Sequence, residues 1–69
     1  MPDFSILTRE IRKDVERGES AAVALDYFKR VGAQSKAAAV EMAESIARDA
    51  GCRVKLEGRH FIFRSVGKG

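Results

Sequence analysis

From Phe4 the apolar residues fall at Leu7, Ile11 and Val15, steps of three and four that draw one stripe down a helix. The spacing predicts a first helix over about 4–17, stopped by Gly18, with Asp3 or Ser5 placed to cap its start. Ser20 reads as the cap of a second helix over about 21–31, which ends at Gly32. Its apolar arc is wide, with Leu25 and Phe28 on one edge and Val23, Tyr27 and Val31 on the next. A short connection through Gly32 and Ser35 leads to a third helix over about 36–50, capped by Ser35 and closed by Gly51. Ala39, Met42, Ala43, Ile46 and Ala50 form its inner stripe, and its many alanines let a neighbouring helix approach closely.

Beyond Gly51 the period changes from helical to two. Cys52, Val54 and Leu56 alternate with Arg53 and Lys55, and Phe61 and Phe63 alternate with His60, Ile62 and Arg64, which predicts a half-buried β-hairpin over about 52–66. With Gly58 and Arg59 as a two-residue loop, Glu57 faces His60, Leu56 faces Phe61, Val54 faces Phe63 and Cys52 faces Ser65. The other side of the ribbon then sets Lys55 across from Ile62 and Arg53 across from Arg64. Two like charges directly opposite each other destabilise a sheet by a few tenths of a kcal/mol, which directs attention to an anionic partner. The tail 67–69 is expected to hold no structure of its own.

The chain has 69 residues, enough for one domain near the lower size limit of a single unaided core, so dimerisation would be a natural supplement. The expected fold class is α+β, three helices followed by a C-terminal hairpin in the order ααα-ββ. That order resembles the layout of a winged helix-turn-helix module, and the resemblance is one of topology alone. One cysteine closes no disulfide within the chain, and Cys52 lies on the apolar side of its strand, where a buried reduced thiol is expected. No apolar run approaches the length of a membrane span, and the start lacks the pattern of a signal peptide, so a cytoplasmic protein without membrane attachment is expected.

Charge is distributed unevenly. The formal net charge is +3, and residues 52–69 hold five basic side chains (Arg53, Lys55, Arg59, Arg64 and Lys68) against the single acid Glu57. The rest of the chain is close to neutral, and the polar residues of the third helix (Lys36, Glu41, Glu44, Arg48 and Asp49) lean negative. A positive patch confined to one element attracts phosphates and acidic protein surfaces alike.

Catalytic and metal chemistry find little support. One histidine and one cysteine cannot supply a standard zinc site, and strand alternation puts Cys52 and His60 on opposite faces. Glu41 and Glu44 lie one turn apart on a solvated helix face, and the tail's Gly67-Lys68-Gly69 lacks the rest of a phosphate-binding loop. No cofactor, metal, small-molecule substrate or enzymatic activity is expected. The chain is expected to be a small regulatory protein, homodimeric, that binds nucleic acid through Arg53, Lys55, Arg59, His60, Ile62 and Arg64 of the hairpin. The competing expectation is a protein-binding module, an adaptor or inhibitor that meets a larger partner through the hairpin or the alanine-rich third helix.

Overall fold

A computed structural model describes residues 3–66. The elements run α1 (Ser5–Glu16), β1 (Ala21–Ala24), α2 (Leu25–Arg30), α3 (Lys36–Ala50), β2 (Cys52–Glu57) and β3 (His60–Ser65). The class is α+β, three helices with one antiparallel sheet, and β3 occupies the middle of that sheet in the order β1-β3-β2.

The strict ααα-ββ order is therefore corrected. The stretch expected to open the second helix is a strand, and α2 begins only at Leu25. Ala21, Ala22 and Ala24 favour a helix, but β3 offers a second row of backbone groups that must find partners once the sheet is half buried. β1 supplies them by pairing Ala21 with Phe63 and Val23 with Phe61. Small side chains suit this position, because Ala21 is buried beside the rings of the sheet's inner face. Ser20 consequently caps nothing helical; Ala24 precedes α2 in extended conformation without a side-chain cap.

The hairpin pairs as its alternation predicts, Glu57 with His60, Leu56 with Phe61, Lys55 with Ile62, Val54 with Phe63, Arg53 with Arg64 and Cys52 with Ser65. Gly58 stands at φ +64° and Arg59 at negative φ, so the two-residue turn takes its left-handed position at glycine, as a type II′ turn demands. Gly51, at φ +72°, ends α3 in the left-handed conformation and lets the chain reverse into β2. Ser35 caps the other end of α3, its hydroxyl accepting the Ala38 N–H at 3.1 Å.

Helices cover one face of the sheet. Phe28, Phe61, Phe63, Ile11 and Ile46 are fully buried there, with Ala39, Ala43, Ala47 and Ala50 of α3 fitted between them. Phe28 meets Phe61 edge to face at 5.2 Å, and Phe4 and Tyr27 extend the aromatic cluster toward the surface. Arg12 of α1 donates a hydrogen bond to the Asp49 carbonyl at the end of α3, tying the first and last helices together. No helix among the described residues is long and apolar enough to cross a membrane. The tail 67–69, expected to be unstructured, lies outside the described residues.

Candidate nucleic-acid interface on the open face of the sheet

Because side chains alternate along a strand, burying Phe61 and Phe63 turns His60, Ile62 and Arg64 outward, and the register brings Arg53, Lys55 and Glu57 to the same side. β1 widens this face with Ala22 and Ala24, which lie beside Ile62 and His60. The third strand, where a helix is expected from the sequence, makes the candidate surface three strands wide.

The face is ordered in rows across the strands. Arg53 and Arg64 form the row farthest from the turn; next come Lys55, Ile62 and Ala22, and then Glu57, His60 and Ala24. Arg53, Lys55, His60 and Arg64 are exposed, while Ile62 is half-buried between the long side chains around it. Lys55, Ile62, Arg53 and Arg64 line a shallow depression.

Arg64 does not stand free on this surface. Its guanidinium nitrogen lies 3.2 Å from a Glu57 carboxylate oxygen, two rows down the sheet, so the side chain runs along the face. Strand patterning offered no sign of this pair, because Glu57 is opposite His60 and not opposite Arg64. Both partners are well exposed, and the attraction is correspondingly screened. Arg53 and Lys55 carry the remaining positive charge of the face.

Arg59 occupies the turn, but the turn does not project. The Leu25 N–H donates to the Arg59 carbonyl at 2.8 Å, continuing the β1–β3 ladder into the start of α2. The Arg59 side chain is exposed at the edge of the face, while its backbone is held against the body of the protein. Thus Arg53, Lys55, His60, Ile62 and Arg64 share one surface, and Arg59 borders it.

Cys52 lies on the inner side, buried, with its thiol pushed above the ordinary range by loss of solvent. It takes no part in the outer face. No family model, no curated protein and no solved structure matches this chain.

Proposed function

We propose that the protein is a small non-enzymatic regulator that binds nucleic acid through the open face of its sheet. The observation that carries the reading is the direct opposition of Arg53 and Arg64, with Lys55 beside them and Glu57 the only carboxylate among the described residues of that face. Two arginines opposite each other on neighbouring strands carry like charge, Arg64 being turned toward Glu57, and a phosphate bound between their side chains offsets that charge while accepting charge-assisted hydrogen bonds. Arg59 adds a cation at the border, and His60 and Ile62 fill the surface between. Contacts of this kind position a phosphate backbone and distinguish little among sequences.

The fold is read here as a winged-helix variant, in which a short strand between the first two helices completes the sheet. β3 at the centre and the connection between α2 and α3 support that reading. In such modules the third helix enters the major groove, but the exposed charges of α3 include Glu41, Glu44 and Asp49, which face phosphates unfavourably. The basic sheet suits the contact better. A cytoplasmic homodimer is part of the same proposal, and the exposure of Ile6 and Tyr27 beside a core this small supports it.

The test is retention of a DNA or RNA duplex by the full chain and by the variant Arg53→Glu with Arg64→Glu. Loss of retention in the variant, with its circular dichroism unchanged, is the expected result. Equal retention by both proteins would reject the reading.

A further inference from the structure

The sheet has a second feature that the cationic face does not use. Among the described residues β2 pairs with β3 alone, so its other edge faces no strand. The direction of its backbone groups follows from the turn. A two-residue loop closes on a pair that exchanges both hydrogen bonds, here Glu57 with His60, and alternation then points the N–H and C=O groups of Arg53, Lys55 and Glu57 toward β3. The groups of Cys52, Val54 and Leu56 point away from it. The Leu25-to-Arg59 bond gives the same phase independently, since it puts Arg59, Phe61 and Phe63 in hydrogen bonds with the β1 side and leaves His60, Ile62 and Arg64 for β2.

Alongside this edge runs a shallow groove between β2 and α3, lined by Glu44, Ala47, Arg48, Cys52, Arg53 and Val54. Its floor is apolar, because Ala47 and Cys52 are buried there and Val54 is half-buried. Its rim is mostly basic. Of the residues that line it, Arg48 on the helix side and Arg53 on the strand side are basic and Glu44 is acidic.

We infer that the β2 edge and the flank of α3 together form a docking groove for an extended acidic peptide strand of a partner protein. Such a strand would satisfy the outward groups of Cys52, Val54 and Leu56 with main-chain hydrogen bonds, the mode by which sheet edges take up peptides. Its alternate side chains fall on two sides. One set lies over Ala47 and Val54 and is apolar; the other continues the outer face beside Arg53 and Lys55 and is acidic, as cross-strand pairing of opposite charges favours. Charge selects the acidic strand over a basic one. Neither the groove nor its occupant depends on binding of nucleic acid to the outer face.

The test uses the full-length chain, isotope-labelled, titrated with the synthetic peptide acetyl-Glu-Val-Glu-Val-Glu-amide, its lysine counterpart and a DNA duplex. With the acidic peptide, the largest amide shifts are expected at Cys52, Val54, Leu56, Ala47 and Arg48, and the lysine peptide is expected to leave them unmoved. Arg48→Glu, which lies outside the cationic sheet face, is expected to weaken the acidic peptide several-fold and to leave duplex binding intact. Val54→Pro removes an outward N–H that the β2–β3 ladder does not use, and it is expected to abolish peptide binding while the amide spectrum stays dispersed. If that variant loses its fold, Arg48→Glu still decides the matter. Absence of shifts, shifts confined to Lys55, Ile62 and Arg64, or an equal response to the lysine peptide would each overturn the proposal.

Discussion

Arg64 faces Arg53 across the ladder yet holds its guanidinium 3.2 Å from Glu57, so one of the two opposed arginines is drawn off along the sheet by a carboxylate on the same face. Both side chains are exposed, and the pair adds little to stability; its consequence is for binding. Any phosphate that engages Arg64 must compete with Glu57. Replacing Glu57 with Gln is therefore expected to strengthen duplex retention at low salt and to leave the melting temperature nearly unchanged. A filter-binding series on the two proteins checks this, and weaker retention by the variant would contradict it.

The core is small enough that a single ring matters. Phe28 is fully buried and meets Phe61 edge to face, so Phe28→Ala is expected to cost about 3–5 kcal/mol, a loss comparable with the whole stability of a domain this size. Chemical denaturation followed by circular dichroism should find the variant largely unfolded in buffer.

At the start of α3 the Ser35 hydroxyl holds the Ala38 N–H. Ser35→Ala is expected to lower stability by about 1 kcal/mol, and Ser35→Asp is expected to preserve it. The midpoints of denaturant curves separate these outcomes.

Burial raises the Cys52 thiol above its ordinary range. A group whose proton is held more tightly in the folded state stabilises the fold below the unfolded thiol's titration and loses that contribution as pH rises through the folded one. Stability is expected to fall on the alkaline side more steeply in the native chain than in Cys52→Ala. Unfolding curves collected across that pH range for both proteins provide the comparison.

Local signals made much of this architecture readable. The stripe Phe4-Leu7-Ile11-Val15 lies along α1 (Ser5–Glu16), and Ser35 and Gly51 bracket α3 where capping chemistry places them. The hairpin register followed from the two-residue turn, because a shift by one would have exchanged Phe61 and Phe63 for Ile62 and Arg64 on the buried side. β1 was illegible for a physical reason. Its alanines carry helix propensity, and the partner that overrides it, β3, lies some forty residues away along the chain. The same non-local pairing widened the outer face with Ala22 and Ala24 and fastened the turn to the start of α2. The Glu57–Arg64 contact was hidden for another reason, since it depends on the reach of a long side chain past the Lys55–Ile62 row of the sheet.

The central claim is that cations on one sheet face meet phosphates, and the salt dependence of duplex binding tests it most directly. Each phosphate neutralised releases counterions, so log K should fall linearly with log salt concentration, with a slope of about −0.9 per contact. The native chain is expected to show the slope of about three contacts, from Arg53, Lys55 and Arg64, and Arg53→Glu with Arg64→Glu should flatten it to near zero with almost no affinity left. A native slope near zero, or a slope unchanged in the double variant, would contradict the account.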